Sequence, residues 1–209
     1  KEVTEYYLTT GQKHLKSKGI EIPYELTYLE GELLNAYLHD LAIVQNFAAL
    51  NRDIIISEIA KGMKWKVLES YSCIHNYVDF SIETPIIRKG AISAKKGEQV
   101  IIPINMRDGS VLAVGHGNPE WNYSAPHGAG RVLSRSAAKK QLSLEEYQES
   151  MKGVYTTSVN LNTIDESPMA YKSLEDIIGV IGGTVDIIDV MRPVYNFKAS
   201  EEQSYGKKR

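Results

Sequence analysis

The strongest constraint on what this chain can fold into is a change of period near Trp65. From Gly31 onward the sequence reads GELLNAYLHDLAIVQNFAALNRDIIISEIAKGMKW, with no proline and no further glycine before Gly62. Leu34, Tyr37, Leu38, Leu41, Val44 and Ala48 recur at spacings of three and four, which is the period of an α-helix, so one long helix ending near Gly62 is expected. After Trp65 come short β-branched and aromatic runs, VLESYSCIH, YVDFSIE, EQVIIPIN and SVLAVGHG, separated by turn signals, and these read as strands. Ahead of the break at GIEIPYEL, Lys1 to Lys18 also reads as a helix, with Val3, Tyr6 and Tyr7 on one stripe. Long N-terminal helices followed by a β-rich core with short helices give an α+β fold, read as a single domain over 1–209.

The rest of the chain supplies the connections. KKGE and RDGS carry the glycine that tight turns require. A helix is expected from just after Gly130 to Lys140, and Ser143 with Glu146 three residues on forms a capping box for another through Met151. SLEDIIGVIG reads as a helix, TVDIIDVMRPVYNFKA as a strand, and EEQSYGKKR as a polar end that frays. With 209 residues, 43% hydrophobic and 24% charged, the composition is globular. A net charge of −2 gives no global field for nucleic acid, so any polyanion must meet a local patch. Cys73 is the only cysteine, which excludes an internal disulfide and a multi-cysteine zinc site. No apolar stretch approaches the roughly 20 residues that span a bilayer, and a cytoplasmic location is expected.

Chemistry falls to a few positions. His14 and His39 sit among charged neighbours on helices and read as surface residues, and His116 in GHGN reads as turn chemistry. His75, in CIHN, is either a hydrogen-bonded structural residue or a metal ligand. His127 lies between Pro126 and the Gly128-Ala129-Gly130 turn, so its imidazole is held on a loop. A glycine-rich turn opening a helix is an anion cradle, and Arg131, Arg135 and Lys139 follow at four-residue spacing, stacking cations on one face. No acidic residue interrupts Trp121 to Leu144. That stripe is either a solvated basic face or a phosphate site beside a nucleophilic imidazole suited to phosphoryl or nucleotidyl transfer.

The stretch GHGNPEWNYSAPHGAGRVLSRSAAKK resembles the nucleophile motif of the RtcB family, tRNA-splicing and RNA-repair ligases that join a 3′-phosphate or 2′,3′-cyclic phosphate end to a 5′-hydroxyl end. YLHDLAIVQNFAALNR, IHN, RKGA, ESPMAYKSLEDI and RPVYNFKA resemble further family segments in the same order. The resemblance implies that His127 attacks the α-phosphate of GTP, expels pyrophosphate and carries GMP as a phosphoramidate, before the guanylate passes to the RNA 3′-phosphate. It implies nucleotide contacts for Asn76, Ser110, Gly128, Ala129, Gly130, Tyr171 and Lys198, with Tyr171 stacking on the base and Lys198 contacting guanine. It implies a Mn²⁺ ligand in His75, and an RNA or phosphate contact for Arg131, Arg135 and Lys139.

Departures accompany the matches. Pro103, Ile104, Asn105 and Met106 stand where the family has a nucleotide-contacting Pro-Gly-Ser-Met turn, and Ala-Pro precedes His127 where many relatives have Cys-Ser. The chain also continues past Lys198 where the family typically ends at Lys-Gly. The family's aspartate, cysteine and two further histidine metal ligands belong to segments upstream of Lys1, and the chain opens without methionine. It is therefore expected to be the C-terminal portion of a longer enzyme, partnered by the missing N-terminal portion and inactive or nearly so alone. A noncatalytic RNA- or nucleotide-binding module is the alternative.

Overall fold

The computed structural model describes residues 2–198; the expected fraying of the polar end lies outside them. The fold is α+β and divides into two compact units, Lys1–Ser70 and Tyr71–Arg209.

The first unit is built on α1 (Glu2–Ser17) and α2 (Gly31–Gly62), linked through a short 3₁₀ turn at Tyr24–Leu26. The buried stripe of α1 is Tyr7, Gly11 and Leu15, at a strict spacing of four, so Tyr6 of the expected stripe points to solvent. Tyr7 donates its hydroxyl to Asp40 of α2 at 2.7 Å, which ties the two helices. Although α2 forms over the expected span, Ala60 is its one fully buried residue among the described ones, and Phe47, Leu50 and Ile54 are exposed.

The run VLESYSCIH, expected as a strand, is neither helix nor strand; it straddles the boundary between the units. In the second unit regular structure begins with β1 (Asn76–Asp79), paired antiparallel with β2 (Ile86–Lys89). β3 (Ala91–Ser93) pairs with β6 (Ser124–Pro126). β4 (Gln99–Asn105), β5 (Gly109–Gly115) and β8 (Val185–Met191) form an antiparallel sheet. Alternation decides its faces: Val100, Ile102 and Ile104 of β4 and Val111 and Ala113 of β5 point into the core, against Ile177 and Ile181 of α5 (Leu174–Ile181). The RDG turn closes the β4–β5 hairpin, with Gly109 at φ +83°. A β-carbon at Gly109 would lie 2.0 Å from the Met191 carbonyl oxygen, so glycine is what lets β8 end beside the turn.

Two shorter helices follow the His127 loop. The first, α3, spans only Arg135–Gln141, because Ser134 caps it by accepting the Ala137 N–H; the expected helix start just after Gly130 is corrected. The second, α4 (Leu144–Ser150), has the expected capping box of Ser143 and Glu146 and buries Tyr147 with Met106, Met151 and Ile164. The C-terminal strand also breaks in two, with Pro193 between β8 and β9 (Tyr195–Asn196), which pairs in parallel with β7 (Tyr155–Thr156).

A buried ion pair locks the strand pairs that carry the histidines. Arg88 of β2 donates to Asp79 of β1 at 2.6 Å, to Ser124 of β6 at 3.1 Å and to the Asn122 carbonyl at 3.2 Å. Burial pushes the Asp79 carboxyl up, but Ser81, Lys95 and Arg88 outweigh it and hold the group far below the usual carboxylate range. A depressed folded pKa contributes stability above the unfolded carboxylate pKa, and that stability is lost only as pH falls through the lower folded value. Arg88→Met leaves Asp79 without its buried partner. We expect a loss of about 2 kcal/mol in urea unfolding at neutral pH, short of the roughly 3–5 kcal/mol of a fully uncompensated buried charge because Lys95 and Ser81 still hold Asp79.

Candidate active site

Strand register places the two histidines of interest side by side. In the β3–β6 pair Ala91 lies opposite Pro126, so one step along the register puts Gly90 opposite His127. In the β1–β2 pair Asn76 lies opposite Lys89, so the same step puts Gly90 opposite His75. Gly90 is therefore the node between them. Its N–H donates to the His75 carbonyl at 2.8 Å and to Asn76 Oδ1 at 3.2 Å, and its carbonyl oxygen accepts a hydrogen bond from His127 Nδ1. The His75 and His127 rings stack at 5.0 Å with 13° between their planes.

The Gly90 carbonyl selects the tautomer. A carbonyl oxygen only accepts, so the proton must sit on His127 Nδ1, and in the neutral ring the lone pair is left on Nε2. His127 is exposed. Gly90 has φ +69°, and a β-carbon there would lie 3.3 and 3.4 Å from the imidazole Cε1 and Nδ1. No role for Gly90 emerged from the sequence, although RKGA showed a turn.

His127 opens on a cleft of about 600 Å³. Pro103, Ile104, Asn105, Met106 and Ser110 line it from the β4–β5 hairpin, and Gly128, Ala129, Gly130, Arg131 and Arg135 from the His127 loop and the start of α3. Tyr171 and Lys198 close it from the C-terminal segments together with Glu166. Lys139 lies off it, in an adjoining hollow of about 290 Å³ shared with Asp165, Glu166 and Lys198. His75 and Asn76 are not in its lining and reach it through the ring stack and through Gly90.

Several expected contributions change character. The Gly-Ala-Gly turn is not a set of open donors at a helix start: Ala129 N–H donates to the Pro103 carbonyl at 3.1 Å, docking the loop on β4. Ile104 and Met106 are 3% and 1% exposed, their side chains spent in the two cores. Asn105 folds onto its own turn, Oδ1 accepting from the N–H groups of Arg107 and Asp108 and Nδ2 donating to Asp108 at 2.8 Å. The basic stripe is met by carboxylates from elsewhere in the chain. Arg131 precedes α3, donates to the Leu133 carbonyl at 3.0 Å and to the Asp165 carbonyl, and lies 3.5 Å from Glu166. Arg135 and Lys139 approach Asp165 at 3.8 and 4.0 Å. Of the other histidines, His14 and His39 lie near Glu30 and Asp40, and His116 joins Asp186 at 2.9 Å, consistent with structural roles.

Comparison with known sequences follows the same residues. A family model described as "tRNA-splicing ligase RtcB" matches residues 1–199. The chain belongs to the RtcB family. It is 34% identical over 207 residues to the RNA-splicing ligase RtcB of Escherichia coli K12, covering 90% of this chain and 50% of that protein. It is 29% identical over 235 residues to the tRNA-splicing ligase RtcB of Aeropyrum pernix, covering 92% of this chain and 48% of that one. The chain thus spans about half the length of the curated relatives it matches. Asn105 marks its departure from the RtcB Pro-Gly-Ser-Met turn, and the side-chain bonds above show what the asparagine does instead. Among the described residues no three His, Cys, Asp or Glu side chains group as a metal site, so a resident metal does not fit this RtcB-family chain by itself. No described helix is long and apolar enough to cross a membrane.

Gly90→Ala tests the node. Positive φ costs an alanine about 1 kcal/mol and its methyl group presses on the imidazole. The expected result is a modest fall in melting temperature with a large change in the His127 ring resonances and small changes at His116.

Proposed function

We propose that this chain forms the nucleotide-accepting half of a GTP- and Mn²⁺-dependent RNA ligase that joins 3′-phosphate or 2′,3′-cyclic phosphate ends to 5′-hydroxyl ends. The observation that carries the reading is the contact of His127 Nδ1 with the Gly90 carbonyl. With Nδ1–H held by the Gly90 carbonyl, Nε2 is an uncommitted nucleophile at the mouth of a cleft with cationic walls.

GTP, when bound, supplies an electrophilic α-phosphorus and pyrophosphate as the leaving group. His127 Nε2 forms the new bond to that phosphorus, and the Gly90 carbonyl stabilises the positive charge that the ring gains. Lys198 and the Arg131 side of the cleft offset negative charge on the phosphates, and one face of Tyr171 takes the base, the other being covered by Arg131 at 4.9 Å. Asn76 and Ser110 act at the edges of this site. The RNA 3′-phosphate then takes the guanylate from His127, and the 5′-hydroxyl displaces GMP.

His75 would be this chain's contribution to a Mn²⁺ site completed by ligands from outside these 209 residues, since one imidazole alone binds manganese weakly. The alternative is a noncatalytic RNA- or nucleotide-binding module that keeps the cleft and its cationic wall, with His127 structural.

Labelling with α-³²P-GTP and Mn²⁺ separates them. A full-length enzyme containing this sequence should take up label, its His127→Ala variant should take up none, and the isolated 209-residue chain should stay at background. Label surviving in the alanine variant removes His127 as nucleophile. Robust labelling of the isolated chain overturns the assignment of metal ligands to another segment, and binding without label in any protein favours the noncatalytic module.

A further inference from the structure

Glu166 is the carboxylate in the lining of the cleft, and neither the sequence motifs nor the reaction above gives it a task. It ends a 3₁₀ helix, Leu161–Glu166, and its side chain is only 20% exposed. A carboxylate in a cleft meant for a triphosphate is at first sight a liability, because like charges repel at close range. Its contacts resolve the difficulty. Glu166 Oε2 accepts the Tyr171 hydroxyl at 2.7 Å and lies 3.4 Å from the Lys198 ammonium. Oε1 faces Arg131 at 3.5 Å, and Arg131 in turn donates to the Tyr171 hydroxyl at 3.0 Å. Both oxygens are thus committed to protein partners.

Two of those three partners, Tyr171 and Lys198, are the groups that the reading above assigns to the nucleobase. Tyr171 has Arg131 over one face of its ring, and the hydroxyl's bond to Glu166 anchors the far end of the ring and so limits its swing about the Cα–Cβ bond. Lys198 lies two residues beyond β9, its backbone N–H donating to Ser158 at 2.8 Å, and Glu166 is the carboxylate beside its ammonium. From this geometry we infer that Glu166 is a positioning residue for nucleobase recognition, setting the Tyr171 ring and the Lys198 ammonium as one preassembled unit. The inference rests on the nucleotide reading of the cleft given above. Charge states agree with it. Burial pushes the Glu166 carboxyl up, but Tyr171, Lys198 and Arg131 hold it below the usual range, so it is ionised at neutral pH. Burial, then the bond to Glu166, drives the Tyr171 hydroxyl up to about 12, so that it stays a donor.

A base-positioning role and a mere counter-charge role move two ligands in different directions. Removing one negative charge from a wall holding Arg131, Arg135 and Lys198 makes it more attractive to any bare polyanion. A residue that only balances charge therefore weakens both GTP and tripolyphosphate, and its removal tightens both. A residue that sets the base contacts strengthens GTP alone. Calorimetric titration of the 209-residue chain with GTP and with tripolyphosphate reads the difference, using Glu166→Gln, which keeps the shape of the side chain, and Glu166→Ala. We expect GTP affinity to fall about tenfold in both variants while tripolyphosphate binds equally or more tightly. In a Tyr171→Phe background, where the hydroxyl is already gone, Glu166→Gln should cost GTP no more than about threefold, since two residues acting through one contact are not additive. Tightening of both ligands, or GTP affinity unchanged in both variants with the fold intact by circular dichroism, overturns the positioning role and leaves the nucleotide reading standing. A wild-type chain that binds neither ligand overturns the nucleotide reading of this cleft, and the role of Glu166 with it.

Discussion

The hydrogen bond between the Gly90 carbonyl and His127 Nδ1 is the interaction on which the site depends. An imidazole has two similar nitrogens, and on a mobile loop either could carry the proton. Fixing the proton on one leaves the lone pair on the other, in a defined direction. The fold reaches this with backbone alone: the β1–β2 and β3–β6 registers converge on Gly90, and glycine is needed because a β-carbon would meet the ring it orients. The buried Arg88 network stiffens both strand pairs just behind the node, so the bond is held by tertiary structure as well as by the local loop.

Electrostatics in the cleft follow a similar economy. Its cations come in a cluster, and alone they would repel one another and splay. Asp165 and Glu166 hold them in place, though two carboxylates among Arg131, Arg135, Lys139 and Lys198 leave a net positive wall. Such a wall attracts a polyanion without the whole molecule being basic, which reconciles a net charge of −2 with phosphate chemistry.

Much of this was legible in the sequence. Periodicity placed α1, α2 and α5, alternation placed the sheet of β4, β5 and β8, and Ser143 with Glu146 announced α4 through its cap. What local pattern missed was long-range. VLESYSCIH has strand-like residues but forms no strand, and the ladder with β2 begins only at Asn76. The helix after Gly130 starts late because Ser134 satisfies its first donors and the preceding residues are held by the Ala170 carbonyl, to which Val132 donates. Resemblance to the RtcB family gathered Pro103 to Met106, Ser110, His127 to Arg131, Tyr171 and Lys198, and these do line one cleft. Gly90 and Glu166 escaped because their tasks exist only across strand register and side-chain contact. RKGA and ESPMAYK contain them, but neither stretch states what it touches.

Nitrogen-15 spectroscopy of His127 in the ¹⁵N-labelled protein, at a pH where the ring is neutral, tests the assignment most directly, since the two ring nitrogens differ widely in shift when only one is protonated. A protonated Nδ1 with a bare Nε2 is the expected pattern. A proton on Nε2, or averaged shifts from rapid exchange between tautomers, would contradict the selection of the nucleophile by Gly90.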